Sequence, residues 1–370
     1  MAGKPEYLSV RRNLFRRPLK WFARIMLWLL TRSSISGTEH FPTRGPYIVA
    51  GNHRGIMEVA LMMMACPHDV EVIGAGDIPL DRRYRYFAKW YGYIPYSRGQ
   101  LDRKALRRAQ HILESGGVVG IFPEGGIWQA ARKSAHNGVS WLSFSTGAPV
   151  VPVGFGGVAE AIHKAFFLQN PLLEANVGEP IPVERRDHNL SRKQQMEHFA
   201  EIVLDHIEDL IPQWDRDLHS SPEWEEFELH LSMRSSSGEE ARVEDQLYRP
   251  DVLARFFHLP VLINALYYNL KRRRVRPLRK MNTYLRADKL GRAVSVVLGY
   301  VRMTNPAFFS YRLGSEMAHE LERSLISLRN LTRRAALERR RIRITPIKRT
   351  KMPGSNLVKE LRRPVFSRRL

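Results

Sequence analysis

Four short stretches of this 370-residue chain carry residue types and spacings that can do chemistry. The first is Asn52-His53-Arg54-Gly55-Ile56-Met57-Glu58. A neutral imidazole can take a proton from a hydroxyl, given an acceptor that fixes its tautomer and stabilises the imidazolium. Glu58 is the only carboxylate close to His53 in sequence. Five residues do not span one face of a regular helix, so the two can pair only if His53 lies just before the helix begins. The second stretch is Gly92-Tyr93-Ile94-Pro95-Tyr96-Ser97-Arg98, whose Arg98 can grip a phosphate through two N–H groups or simply solvate a turn. The third is Phe122-Pro123-Glu124-Gly125-Gly126. Its glycines let backbone approach a ligand, and Glu124 can accept from a hydroxyl or pair with Arg98. The fourth is Val151-Pro152-Val153, whose proline removes a ladder donor and reads as a strand edge or end. Taken singly, each is as readily an ordinary strand end or turn.

The elements that must position these residues are short apolar runs alternating with helix-length segments. Tyr47 to Ala50, Val70 to Ala75, Val118 to Phe122, Val150 to Phe155 and Glu174 to Gly178 read as buried strands, β-branched and mostly bounded by Gly or Pro. Leu101 to Ser115 reads as a helix stopped by Gly116 and Gly117. Ser191 to Ile211 reads as a long helix with Ser191 as its N-cap and Pro212 after its end. The alternation predicts an α/β fold with a central, mostly parallel sheet flanked by helices, and places His53 and Glu124 at strand ends, where such sheets bind ligands.

Charge and apolar patterning bound the setting. Lys and Arg total 59 against 37 Asp and Glu, a net charge of +22, which calls for a polyanionic partner. Cys66 is the single cysteine, so neither an intrachain disulfide nor a Cys-based zinc site is available, and no metal site is expected. Arg24 interrupts the apolar run Trp21 to Leu30, so neither a membrane span nor a signal peptide for export is expected there. Residues 1–32 instead read either as a helix packed on its own domain with its charges solvated or, favoured by the basic excess, as a helix lying on a membrane surface. Its stripe of Arg17, Lys20, Arg24 and Thr31 would face anionic lipid, and Phe22, Ile25, Met26 and Leu29 would cover the other side. Residues 201 to 245 hold 14 acidic and 3 basic residues, so 213–245 reads as an acidic linker; 246–370 reads as a mainly helical, basic region. That region has no base-reading module, so no nucleic-acid partner is expected and its charge is assigned to anionic headgroups.

In this order the four motifs resemble the glycerolipid acyltransferase family, typified by bacterial 1-acyl-glycerol-3-phosphate acyltransferases. Its pattern is N-H-x4-D, G-x-x-P-x-x-R, F-P-E-G-T-R and V-P-[VI]; here they stand as NHRGIME, GYIPYSR, FPEGGI and VPV. The resemblance covers residues 33–212. It implies a phospholipid-biosynthetic transferase moving an acyl group from acyl-CoA or acyl carrier protein, the co-substrate, to the hydroxyl of lysophosphatidate or a related lysolipid. No covalent acyl-enzyme, metal or further cofactor is implied. His53 would be the general base and Glu58 would orient it, while Asn52, Arg98, Glu124, Gly125 and Pro152 would bind substrate. The setting would be peripheral, on the cytoplasmic face of a membrane. Three positions depart from the pattern: Glu58 stands for Asp, Gly126-Ile127 for Thr-Arg, and His136 where a lysine would precede Asn137-Gly138. Arg132 or Lys133 would then have to reach the acceptor phosphate. The departures motivate an alternative, a non-catalytic lipid-binding or membrane-scaffolding protein on the same fold.

Overall fold

The computed structural model describes residues 10–55, 57–76, 91–97, 102–124, 137–158, 161–183, 190–218, 223–259, 270, 272–304, 309, 315–354 and 356–362. They fall into two compact units, one ending before Ser221 and one beginning there.

The first unit is built on a seven-stranded sheet. Its strands are β1 (Arg32–Ser36), β2 (Tyr47–Gly51), β3 (Val70–Ala75), β4 (Ile94–Tyr96), β5 (Val118–Ile121), β6 (Val150–Gly156) and β7 (Leu172–Val177). They lie in the order β1-β7-β6-β2-β5-β3-β4. All neighbours are parallel except β6 and β7. β2, β5 and β6 are buried along their whole length, which explains their unbroken apolar sequence. The helices are α1 (Val10–Leu30), α2 (Met57–Ala65), α3 (Arg103–Glu114), α4 (Gly138–Thr146), α5 (Ala161–Phe166), α6 (Arg192–Leu210) and α7 (Gln213–Leu218). Helix α3 starts where Asp102 accepts the N–H of Ala105 at 3.0 Å and stops before left-handed Gly116. Helix α6 carries the full capping box of Ser191 and Gln194. Two apolar layers form, one on each face of the sheet: α2 and part of α1 cover one, and α3, α4 and α6 the other.

Two strands escape the sequence reading. β1 is polar and half exposed, held by pairing with β7 rather than by burial. β4 is the three-residue edge strand inside the second motif, where Pro95 is exposed and needs no donor. Pro152, by contrast, sits in an inner strand. Pairing between β6 and its neighbour slips by one residue between Val153–Val177 and the Val150–Ile181 bridge, where residues 178–180 face only Val151 and Pro152, so the regular ladder is interrupted at the proline. Its carbonyl accepts the N–H of Gly178 at 2.9 Å.

Helix α1 reverses the expected orientation of its basic face. Arg16 is buried against Glu71 at 2.5 Å, Lys20 reaches Asp69 at 3.2 Å and the His68 carbonyl at 2.8 Å, and Arg24 donates to the Met64 carbonyl at 3.3 Å. The side chain of Arg17 lies outside the described set. Leu19, Ala23 and Leu27 pack on the same side. The cations therefore tie the helix to its own domain, because Asp69, Glu71 and free carbonyls stand opposite them. Outward on α1 stand Trp21, Phe22, Trp28 and Leu29, all more than half exposed. Among the described residues no helix is long and apolar enough to cross a membrane.

The second unit is mainly helical around a five-stranded antiparallel sheet that the sequence reading did not place. Its strands are β8 (Trp224–Arg234), β9 (Glu240–Arg242), β10 (Leu285–Arg286), β11 (Arg341–Lys351) and β12 (Val358–Leu361). Helices α8 (Pro250–His258), α9 (Arg272–Val275), α10 (Ala287–Met303) and α11 (Ser315–Leu337) share its core with Leu229, Leu231, Ile342 and Ile344. The stretch 213–245 is thus not a linker. Helix α7 closes the first unit, β8 is an inner strand of the second, and Ser235 to Gly238 is the turn joining β8 to β9. The acidic run faces the basic one across an eleven-residue register of β8 and β11. Lys348 meets Glu225 at 2.5 Å, Arg349 meets Glu228 at 2.8 Å, and Lys351 meets Glu223 at 3.0 Å.

One buried group makes this unit acid-sensitive. Burial pushes the His258 imidazole down to about 4; the Pro346 carbonyl pulls it back and the Lys348 charge adds to the depression. The unfolded chain binds that proton near pH 6.5, so stability is complete above about 6.5 and is lost as pH falls toward about 4. The loss amounts to at most about 3 kcal/mol. Thermal unfolding of His258→Leu should show a smaller drop between pH 7.5 and pH 4.5 than the parent; an equal drop would refute the assignment.

Candidate active site

Because β2 and β5 are adjacent and parallel, their C-terminal ends open on the same edge of the sheet. The first motif leaves one and the third leaves the other. His53 therefore stands beside the Phe122-Pro123-Glu124 turn. Its ring stacks on Phe122 with centroids 4.3 Å apart, and its backbone N–H donates to Glu124 Oε1 at 3.3 Å. Its Nδ1 is buried. Glu58, one residue into α2, is fully buried. Its Oε1 accepts the N–H groups of Arg54 and, at 2.6 Å, Gly55. His53 does lie ahead of the helix, as the pairing requires. Glu58 Oε2 is buried and accepts no hydrogen bond in the structure, so the carboxylate keeps one acceptor for an imidazole N–H. Gly55 permits this turn, since a Cβ there would come within 2.7 Å of the Val158 carbonyl oxygen.

The two carboxyls are poised in the same range. Burial pushes Glu58 up to about 7; the N–H groups of its own turn oppose the rise and the charge of Glu124 adds to it. Burial likewise pushes Glu124 up to about 7, against the pull of the His53 N–H and of Arg54. A carboxyl titrating near neutrality beside a strand-end histidine is the electrostatic arrangement that acid–base chemistry uses.

Sequence reasoning missed the group that braces this turn. Arg54 Nη1 lies 2.5 Å from Asp215 Oδ2, and Asp215 Oδ1 accepts the Gly157 N–H at 2.8 Å. Asp215 is buried in α7, 161 residues from its partner, and nothing local in the sequence marks that pairing. It joins the turn after β2 to the turn after β6. Asn52 acts in the same sense. Its amide donates to the Phe155 carbonyl at 2.9 Å and accepts the Phe155 N–H at 2.7 Å, so it clamps β2 to β6 rather than facing a substrate. Pro152, inside β6 and buried, is likewise part of the scaffold. Arg98 and Gly125 lie outside the described residues. The described residues on either side of 98–101 are joined, the Ser97 N–H donating to the Asp102 carboxylate at 3.0 Å.

The family model described as Acyltransferase matches residues 32–156, the span from β1 to the end of β6. No curated protein matches the chain. Among solved structures, the crystal structure of the 1-acyl-sn-glycerophosphate (LPA) acyltransferase PlsC from Thermotoga maritima is similar at 20% identity and a TM-score of 0.42, covering 54% of this chain and 80% of that chain. The matched span holds His53, Glu58 and Glu124 on a mostly parallel sheet with helices on both faces. The likeness to the Acyltransferase family model is thus carried by residues 32–156, about a third of the chain.

Proposed function

We propose that the chain transfers an acyl group from acyl-CoA or acyl carrier protein to the hydroxyl of lysophosphatidate or a related lysolipid at a membrane surface. The observation that carries this is a strand-end histidine with its Nδ1 buried, standing just ahead of the helix whose buried carboxyl, Glu58, keeps one oxygen in hand. With Nδ1 buried, Nε2 is the ring nitrogen that meets the acceptor hydroxyl. It takes the hydroxyl proton while Glu58 holds Nδ1–H and offsets the imidazolium charge. The oxygen then attacks the thioester carbonyl, the C–S bond breaks, and the imidazolium returns the proton to the departing thiolate. Glu124, fixed to the His53 backbone, shapes the acceptor side, and Arg98 is assigned the acceptor phosphate. The carboxyl arrangement favours catalysis over scaffolding. One oxygen of Glu58 braces the Arg54–Gly55 turn, but burying the other without a partner costs stability that lipid binding alone does not call for.

Purified protein in detergent, given labelled acyl-CoA or acyl carrier protein and a panel of lysolipids, should acylate at least one of them. Selection of a lysolipid other than lysophosphatidate would move the acceptor headgroup and keep the chemistry. Folded protein that turns over no lysolipid with either donor would overturn the reading.

The membrane part of the proposal rests on α1. Trp21, Phe22, Trp28 and Leu29 form an apolar face with amphipathic rings, suited to the headgroup boundary, while the helix's cations hold it to the domain. Trp21→Ser together with Trp28→Ser should lower partitioning onto neutral phosphatidylcholine vesicles by about tenfold or more, since each ring buries on the order of 2 kcal/mol of apolar surface. Unchanged co-sedimentation would remove α1 as the contact.

A further inference from the structure

We propose that one end of the second unit, built from the start of α10, the end of α11 and the first residue of β11, is a docking surface for an anionic lipid bilayer. Between Lys271 and Arg343 the chain holds 20 Lys and Arg against five acidic residues. The ion pairs between β8 and β11 neutralise other parts of the unit and do not touch this excess.

The fold gathers much of the excess at one place. Arg286 of β10 and Arg341 of β11 are paired in register, and Arg341 is paired in turn with Arg234 of β8. The Ala287 N–H donates to the Arg340 carbonyl at 3.3 Å, which joins the start of α10 to the end of α11. One turn on, the same helices approach closely enough that a Cβ on Gly291 would lie 2.9 Å from Thr332 Oγ1. Arg286, Lys289 and Arg292 thus stand beside Arg333, Arg334, Arg339, Arg340 and Arg341. Asp288 takes Arg286 and Arg292, Glu338 takes Arg340, and Glu240 takes Arg234. Lys289, Arg333, Arg334, Arg339 and Arg341 are exposed and have no acidic partner among the described residues.

Two further observations bear on what the cluster would meet. Arg339 sits at φ 55°, in the left-handed position after α11 that glycine normally fills. The Arg339 N–H bonds the Ala336 carbonyl and the Arg340 N–H bonds the Ala335 carbonyl, the pattern that requires this conformation. A charged side chain is kept where a glycine would be less strained. Leu337, amid these arginines, is 86% exposed. An apolar side chain inside a polybasic patch suits a bilayer, where it enters the boundary while the cations meet headgroup phosphates. Base stacking has no such support. Tyr284, next to β10, is already covered by the guanidinium groups of Arg234 at 4.1 Å and Arg343 at 4.7 Å.

This inference stands apart from the acyl-transfer reading. Its test uses the full chain and vesicles of phosphatidylcholine, with or without one third phosphatidylglycerol. Each basic residue near an anionic surface changes partitioning about fivefold. Replacing Arg333, Arg334, Arg339 and Arg341 by Gln should weaken binding to the anionic vesicles by about 600-fold. It should leave binding to the neutral vesicles unchanged. Arg339→Gly guards against an effect of unfolding, because it relieves the left-handed residue; it should raise the melting temperature while weakening anionic binding. Wild-type binding to anionic vesicles by the fourfold variant would overturn the proposal. So would a variant that keeps vesicle binding and loses binding to a duplex DNA oligonucleotide, which would assign the patch to nucleic acid.

Discussion

His53→Ala should lower kcat/KM for acyl transfer by about 10³-fold while leaving the protein folded. General-base catalysis by a positioned imidazole contributes roughly 10²–10⁴-fold, so its removal should appear in that range. The structural cost is small for reasons visible at the site. The contact between His53 and Glu124 runs through the backbone N–H, which alanine retains. The ring stacks on Phe122, and an aromatic pair of this kind is worth about 0.5–1.5 kcal/mol. The loss should fall on kcat more than on KM, because the base acts in the transition state and not on bound substrate. A variant within tenfold of the parent would exclude His53 as the base.

Glu58→Gln should move activity and stability in opposite directions. The glutamine carbonyl can still accept the Arg54 and Gly55 N–H groups, so the turn survives. It cannot offset an imidazolium charge, and transfer should slow by about 10²-fold or more. Stability follows from the raised carboxyl. Its pKa is about 7 in the folded protein and near 4.5 when unfolded, so the folded state binds the extra proton. Glu58 is therefore well tolerated below about pH 4.5 and costs up to about 3 kcal/mol as pH rises through 7. At pH 8 the glutamine variant should melt higher than the parent, and at pH 5 the difference should shrink. Slower transfer with lower stability at pH 8 would mean instead that the ionised carboxylate holds the turn together.

What the sequence made legible was whatever is local. Strands β2, β5 and β6 announce themselves because fully buried strands are unbroken apolar runs, β7 because buried residues alternate along it, and α3 and α6 because their caps are spelled out in neighbouring residues. His53 and Glu124 could be placed at strand ends, yet their meeting depends on β2 and β5 being neighbours, which no stretch of sequence encodes. Arg54 and Asp215 show the limit most clearly, since the partners are 161 residues apart and each looks like an ordinary surface charge. Asn52 read as a substrate contact because of its motif, and proves to be a clamp because Phe155 presents both an N–H and a carbonyl to its amide.

The second unit was misread for a different reason. β8 does alternate, with Phe227, Leu229, Leu231 and Met233 at every second position, as Ile342 and Ile344 do in β11. The dense charge between those positions drew attention to acidic and basic blocks instead. At one end of the two strands the charges are complementary, Glu225 meeting Lys348 and Glu226 and Glu228 meeting Arg349, so part of the composition that suggested a linker and a tail helps to pair the strands. Helix α1 gives the mirror case. Its periodicity was plain, but which stripe faces the domain was decided by Asp69, Glu71 and the carbonyls of Met64 and His68, which only the fold brings opposite.

The central claim is direct acyl transfer to a lysolipid hydroxyl, with His53 as the base and no acyl group resting on the protein. Single-turnover mixing of the full chain with a labelled thioester donor and lysophosphatidate, sampled for both lipid and protein label, addresses it most directly. The expected result is label passing from donor to a diacylated lipid with none trapped on the polypeptide. Label accumulating on the protein, or a donor that is never consumed in the presence of any lysolipid, would contradict it.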